Sequence, residues 1–520
     1  MIKPPSDLIR QNRINAAIWS ACDTFRGTID PSVYKDYVLT MLFLKYISDV
    51  WQEHYETLAK QFGDEPELIE ALLQQERFVL PRPANFYTLH QQRNQPGNSV
   101  RIDQALAFLE QSNPQKLAGV FQDIQFHANK LGEETGRNAS LCELLELFAQ
   151  PDLNLSPSRV GNLDIIGNAY EFLIRNFASS SGKKAGEFYT PPEISELMAL
   201  LVAPEPGDHI CDPTCGSGSL LMKCGQLIQK KYTSDNYHLY GQEAIGSTWA
   251  LAKMNMFLHN EDRHKIVWGD TLRAPHFVSN NKLQHFDVVV ANPPFSLEKW
   301  GYDLAEKDAF QRFSRGIPPR SIADYAFILH MIATMKPETG RMVVVVPAGV
   351  LFRGGSEMLI RQQLVNENLL DAVIGLPKKL FYGSGIAAVI LIFRSKKKDK
   401  NILFIDASKG FRKEQKNQNT LREEDIELIL NTCHARSNQT DYAHLATMED
   451  IKRNRYDLSI ARYIDAFDDG PEIDLDLLQQ EREDLRLELR SLDELIDAHL
   501  KLLVQETEFQ TIDYSTESAN

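Results

Sequence analysis

Apolar positions recur at helical spacing through the first part of the chain, at Tyr37, Leu39, Leu42, Phe43 and Tyr46, and again at Leu106, Phe108, Leu109 and Leu117. Pro81, Pro83, Pro96 and Gly97 cut this block into several helices. The pattern predicts a helical N-terminal domain over 1–155, with no paired acids and no nucleophile beside a base. From about 161 to 406 short apolar runs alternate with helical stretches. The runs lie at 209–212, 238–241, 286–291, 341–347, 371–376, 387–393 and 402–405. Two of them, around Val288-Val289-Val290 and Val343-Val344-Val345, are apolar throughout, as strands of a parallel sheet covered on both faces are. The predicted fold class is α/β, with a doubly wound domain over 156–410. The remainder, 411–520, reads as helical and charged. In it Leu475, Leu478, Leu485, Leu489, Leu492, Ile496 and Leu503 share one heptad frame, which Arg482 and His499 interrupt. That stripe suits the chain's own core or a partner helix equally. The end of the chain, 507–520, reads as frayed.

Composition changes this picture in three places. At 520 residues the chain is too long for one core, so several domains are expected. No window reaches the ~18 apolar residues of a membrane helix, and Lys45 and Asp49 interrupt the nearest run; the N-terminus, Met1-Ile2-Lys3-Pro4-Pro5, lacks a secretory pattern. A cytoplasmic protein with no membrane contact is expected. The six cysteines show neither a disulfide framework nor zinc spacing, so no metal is expected. A formal net charge of −15 is awkward for a chain that would hold nucleic acid alone. Either the basic residues gather on one face, or a partner supplies contacts.

Three strand ends carry the candidate chemistry. Asp212-Pro213-Thr214-Cys215-Gly216-Ser217-Gly218 joins a strand to a helix, and its glycines allow a sharp turn and a close ligand approach. It has neither the full dinucleotide glycine spacing nor the Lys-Ser/Thr of a P-loop. Glu243 ends the second strand about 27 residues after Gly216, where an acid suits ribose hydroxyls. Asp270 follows a third short strand, 266–268, and suits an adenine amino group. Each acid alone is more often a capping or solvated residue. Asn292-Pro293-Pro294-Phe295 directly follows the buried run 286–291. Its prolines fix the backbone, so the Asn292 side chain and the Pro293 carbonyl can both accept from one planar amino group. Two acceptors localise that nitrogen's lone pair for attack on a sulfonium methyl, and Phe295 offers a face to a flipped base.

At these residues the sequence resembles the amino methyltransferases that modify adenine in DNA, and most of all the methylation subunits of type I restriction-modification systems. Gly186-Glu187-Phe188-Tyr189-Thr190-Pro191-Pro192, about 25 residues before Asp212, is similar to their cofactor motif, and its place before the glycine loop gives the gamma order. The stretches 167–173 and 380–386, and Asp324-Tyr325-Ala326-Phe327, fit the same subfamily. Cys215 and Ser217 depart from the aromatic-Gly opening of simpler relatives.

The resemblance implies S-adenosylmethionine as cofactor and adenine N6 as target. It implies that Tyr189, Thr190, Pro191, Asp212, Gly216 and Gly218 hold the methionine part of the cofactor, with Glu187, Phe188, Thr214 and Ser217 also in the cofactor site. Glu243 would hold its ribose and Asp270 its adenine, with Asn292 beside the reacting methyl. Asn292, Pro293, Pro294 and Phe295 would hold the target base, with Phe381 or Tyr382 as a second stacking wall. The implied partners are DNA, a specificity subunit that reads the sequence, a second methylation subunit, and a restriction (motor-nuclease) subunit that can join them. The heptad helix is expected to dock on the specificity subunit. The loop 296–322 carries Arg312, Arg315 and Arg320, which we expect to cover DNA. A stand-alone enzyme, a silent scaffold subunit and a methyltransferase acting on protein or RNA are the competing readings.

Overall fold

The computed structural model describes residues 5–25, 29–63, 65–160, 164–180, 189–381, 385–415, 418–464 and 475–512. The chain divides into two compact units, 1–464 and 465–520.

In the first unit the N-terminal helices include Pro5–Ala21, Pro31–Phe62, Asn98–Ser112, Glu134–Phe148 and Asp164–Ser180. Helix Pro31–Phe62 buries Tyr37, Val38, Leu39, Leu42 and Phe43, the positions its periodicity marks. Lys45 and Asp49, which interrupt the apolar run in the sequence, are themselves buried and ion-paired. Asp49 also accepts from the Tyr87 hydroxyl at 2.5 Å and the Leu155 amide at 2.7 Å. A polar pair on an apolar helix face thus ties three segments together, as buried charges must be paired and hydrogen-bonded. Phe78 meets Phe257 edge to face at 5.1 Å, and Arg77 forks onto Asp262, so this helical layer packs directly on the layer below.

That layer is a sheet of nine strands among the described residues: β1 His209–Asp212, β2 His238–Glu243, β3 His264–Trp268, β4 Val288–Ala291, β5 Arg341–Pro347, β6 Leu370–Gly375, β7 Ala388–Arg394, β8 Ile402–Asp406 and β9 Ala443–Ala446. The spatial order is β9-β8-β6-β7-β5-β4-β1-β2-β3. All neighbours are parallel except β7, inserted antiparallel between β5 and β6, and β9, antiparallel to β8. The C-terminal ends of β1 to β6 and of β8 therefore share one edge, where ligands bind in open α/β sheets. Val288 to Ala291 are fully buried, as their unbroken apolar run requires.

The sheet unit runs past the boundary expected at 410. Helix Glu423–Ala435 and β9 belong to it, with Ile402 paired to Ala446. The four residues of β9, Ala-His-Leu-Ala, lack β-branched side chains and are too few to show a period. In the second unit helix Leu475–Ile512 spans 38 residues, and Leu485, Leu489, Leu492 and Ile496 of the heptad stripe are exposed.

Candidate active site

The glycine loop is built around two buried carboxylates. Asp212 closes β1, and its Oδ1 accepts from the Thr214 amide at 2.9 Å, which sets the turn. Gly216 and Gly218 then take left-handed φ values of +53° and +80°, which side chains resist. A Cβ on Gly218 would also meet the Met256 methyl at 2.8 Å. Glu243, at the end of β2, accepts from the Gly216 amide at 3.0 Å with one oxygen and from the Ile245 amide at 2.8 Å with the other. Ser217 and Ser219 share a hydroxyl contact at 2.9 Å, and Asn255 donates to the Ser217 carbonyl.

Burial pushes the Asp212 carboxyl up to about 7, with the nearby Glu243 charge adding to it. Burial likewise raises Glu243, against the pull of three backbone donors. In their ionised form these two acids favour a cation over a phosphate. The loop therefore suits a positively charged ligand bearing hydroxyls. Asp270, after β3, uses Oδ1 to accept from the Leu272 and Arg273 amides at 2.9 and 3.1 Å. The Thr271 hydroxyl donates to the Pro213 carbonyl at 2.6 Å, which locks this turn to the glycine loop.

The Asn-Pro-Pro-Phe turn is different. Asn292 follows β4, and its Nδ2 donates to the Thr190 Oγ1 at 3.1 Å. Its Oδ1 is buried and has no partner among the described residues. Thr190 precedes Pro191, the cap of helix Pro192–Val202, so this helix aims the amide. Pro293 is buried, while Pro294 and Phe295 are half-buried. Ser296, at φ +54°, turns the chain away. Its amide donates to Asp324 Oδ1 at 2.9 Å, and Arg353 donates to Asp324 Oδ2 at 2.5 Å. Asp324, which opens helix Asp324–Thr334, is 1% exposed and clamps the exit of the Asn-Pro-Pro-Phe turn. In the sequence Asp324 stood only within a stretch fitting the subfamily, with no role of its own.

Phe295 meets Phe381 edge to face, 5.4 Å between centroids and 69° between planes. Phe381 is 4% exposed, so it buttresses Phe295 and offers no open face. Its expected place as a second stacking wall is corrected accordingly. The hairpin of Arg412–Gln415 and Gln418–Thr420 holds the loop before it: Asn419 donates to the Lys378 and Lys379 carbonyls, and Gln418 to the Leu380 carbonyl. The Thr420 hydroxyl donates to Glu193 at 2.8 Å, joining the hairpin to helix Pro192–Val202. Nothing in the sequence pattern pointed to this hairpin.

The structure brings Thr190 and Asn292 together, and likewise Asp212, Gly216 and Glu243. Tyr189 is buried just before Thr190. Glu187, Phe188 and Tyr382 lie outside the described residues. Of the three arginines expected to cover DNA, the structure places one, Arg312, in the interior. Arg312 is 4% exposed, forks onto Asp308 and donates to the Thr271 and Leu272 carbonyls. It is an internal strut, because a planar fork with several donors satisfies a buried turn better than any lysine. Arg315 forks onto Glu367, and Arg320 pairs with Asp303.

Comparison with known proteins agrees with this geometry. The family model described as N-6 DNA Methylase matches residues 161–470, the whole sheet with its strand-end motifs. The chain belongs to that family. The HsdM N-terminal domain model matches residues 14–148, the helical layer. The methylase subunit of the type I restriction enzyme MpnII from Mycoplasma pneumoniae is 31% identical, covering 94% of each chain. The corresponding MjaVIII subunit from Methanocaldococcus jannaschii is also 31% identical over 95% of this chain and 85% of its own. A crystal structure of a type I methyltransferase subunit from Streptococcus thermophilus superposes with a TM-score of 0.78 at 33% identity, covering 88% of this chain and all of the other. As an N-6 DNA methylase of the HsdM type, this chain is an adenine-specific DNA methyltransferase and a methylation subunit of a type I restriction-modification system. Among the described residues no helix is long and apolar enough to cross a membrane.

Proposed function

We propose that the chain takes its methyl group from S-adenosylmethionine and delivers it to an adenine flipped against Asn292 and Phe295. The buried Oδ1 of Asn292, without a partner among the described residues, carries this reading, because Thr190 holds the amide so that an unsatisfied acceptor stands at the ligand edge of the sheet. An unsatisfied buried oxygen costs about 1–3 kcal/mol, and an incoming amino group relieves that cost. Were the amide reversed, it would present donors to a donor.

The residues fit the cofactor. Asp212 and Glu243 suit its cationic end and ribose, Asp270, whose Oδ2 lies 3.3 Å from Arg273 Nε, is assigned to its adenine, and Tyr189 to Pro191 border the reacting end. When bound, S-adenosylmethionine supplies an activated methyl on a sulfonium. The chain's own work is positioning. Asn292 Oδ1 and the Pro293 carbonyl accept the two amino hydrogens, Phe295 stacks the base, and Asp324 holds the turn that carries them. Proximity in a preset geometry is worth several kcal/mol, against roughly a few to flip the base.

The proposed partners are DNA, a specificity subunit that reads the target, a second methylation subunit, and a restriction subunit that can join. The exposed stripe Leu485, Leu489, Leu492 and Ile496 is the proposed docking face for the specificity subunit. Tritiated methyl transfer to unmodified genomic DNA, with and without the co-expressed specificity subunit, tests the reading. Label on adenine N6 only with the partner is expected. Label without it would establish a stand-alone enzyme.

A further inference from the structure

Two groups of cations border the same edge of the sheet, and they differ in what they touch. In loop 296–322 all three arginines are spent on acids, as described above. The longest basic run of the sequence, around Lys396-Lys397-Lys398, lies at the opposite edge, after the antiparallel β7. There Arg394 pairs with Asp371, Lys396 with Glu338, and Lys397 is buried. By contrast Lys378, Lys379, Lys409, Arg412 and Lys413 are exposed, and no ion pair or side-chain hydrogen bond engages them among the described residues. In a chain of net charge −15 that is a local reversal of sign.

Topology places the five together. Lys378 and Lys379 follow β6, and Lys409 follows β8, parallel to it. Arg412 and Lys413 lie on the first strand of the hairpin whose second strand, through Asn419, bonds the Lys378 and Lys379 carbonyls at 2.8 and 2.9 Å. Glu414 is the one acid within 407–415. Lys379 precedes Phe381 by two residues, a span of at most about 7 Å, and Phe381 supports the Phe295 ring. The strip therefore runs beside the pocket for the flipped base, on a surface that nothing else in the described structure covers.

We propose that Lys378, Lys379, Lys409, Arg412 and Lys413 grip the phosphate backbone of the DNA duplex next to the extruded adenine. Long, unpaired cations neutralise phosphates and fix register without reading bases, which suits a subunit that does not itself select the sequence. The hairpin is the mount: by bonding the loop that carries Phe381 and, through Thr420, the helix behind Thr190, it couples backbone grip to the geometry of the base pocket. This rests on the reading of Asn292 and Phe295 as the base site.

The test uses the full chain assembled with its specificity subunit and saturated with cofactor. DNA affinity of the quadruple variant K378Q/K379Q/R412Q/K413Q is measured by anisotropy between 50 and 200 mM salt. Each lost phosphate contact lowers the log–log salt slope by about 0.9, so a slope shallower by about 2 to 4 is expected, with cofactor affinity and melting temperature unchanged. The R315Q/R320Q control is expected to keep the wild-type slope. An unchanged slope in the quadruple variant overturns the proposal, whatever happens to the affinity. If glutamines destabilise the hairpin, the charge-keeping K378R/K379R/K413R variant must retain the slope, and its loss also overturns the proposal. Methyl transfer by N292A in the same assembly separates the two readings. Full methyl transfer by N292A defeats the base-site reading, whereas a wild-type slope in the quadruple variant beside an inactive N292A defeats the strip alone.

Discussion

The two ends of the site satisfy their polar atoms in opposite ways. At the cofactor end every acid already has backbone donors: Asp212 from Thr214, Glu243 from Gly216 and Ile245, Asp270 from Leu272 and Arg273. A carboxylate has about four acceptor sites, so these groups brace their own turns and keep lone pairs for a ligand. At the proposed base end Asn292 Oδ1 has no partner among the described residues, while its Nδ2 is fixed by Thr190. The cofactor end is thus a self-supported cradle, and the base end holds an unsatisfied acceptor in reserve. The difference matches the proposed roles: one end would bind a stable cation, and the other would reward a base for leaving its stack.

The comparison breaks most easily at Asn292. Asn292→Ala removes the open acceptor, and kcat is expected to fall about 10²–10³-fold, as when one preorganised polar group is deleted from an active site. Cofactor affinity should hold, since the cradle does not depend on this amide. Single-turnover methyl transfer and cofactor titration on the same preparation check both halves. A matching loss of cofactor affinity would show that the ends are not separate.

The cradle makes its own prediction through pH. With Asp212 up to about 7, the free protein holds this carboxyl largely protonated at pH 6 and ionised at pH 8. A cationic ligand prefers the ionised form, so its binding tightens as pH rises through 7. If binding requires the charge, affinity at pH 6 should be roughly tenfold below that at pH 8. Stability moves the other way: between the unfolded value near 3.8 and 7 the native state binds the extra proton, so folding weakens as pH rises through that window. Asp212→Asn should flatten the affinity profile; a profile that survives unchanged assigns the pH dependence elsewhere.

Much of this was legible in the sequence, for reasons that differ by residue. The sheet showed itself because β4 and β5 are continuous valine runs, and buried parallel strands leave that trace. Asp212, Gly216, Glu243 and Asn292 stood at strand ends, so finding the strands placed them on one edge. What escaped depended on partners distant in sequence. Arg312 reads as a surface cation until Asp308 and the Thr271 and Leu272 carbonyls close around it. Phe381 reads as a free aromatic until the hairpin 100 or more residues beyond Phe295 presses its loop inward. Charge and aromaticity are properties of residues, whereas being spent or available is a property of the fold.

A smaller effect sharpens the aim of the amide. Thr190→Val keeps the shape of Thr190 but removes the acceptor for Asn292 Nδ2. One hydrogen bond of about 0.5–1.5 kcal/mol predicts a kcat loss of roughly three- to tenfold, with cofactor Kd unchanged and Thr190→Ser restoring the rate. A Kd change in place of the kcat change would put Thr190 in the cradle instead.

The smallest effect concerns Phe381, and it decides how the base is held. As a buttress, Phe381 gives Phe295 an edge-to-face contact worth about 0.5–1.5 kcal/mol beyond its buried area. Leucine fills most of the same space and only part of that energy is passed on to the base, so Phe381→Leu should weaken base capture only about two- to threefold, the low end of that range. Were Phe381 itself a stacking wall, the substitution would forfeit base–aromatic stacking of about 1–3 kcal/mol, and capture would fall roughly ten- to a hundredfold. A fluorescent adenine analogue at the target position reads the flipped fraction directly. The 4% exposure of Phe381 and its 69° tilt to Phe295 place the expectation at the small end. The base then stacks on one ring, and that ring keeps its angle because a second ring stands behind it.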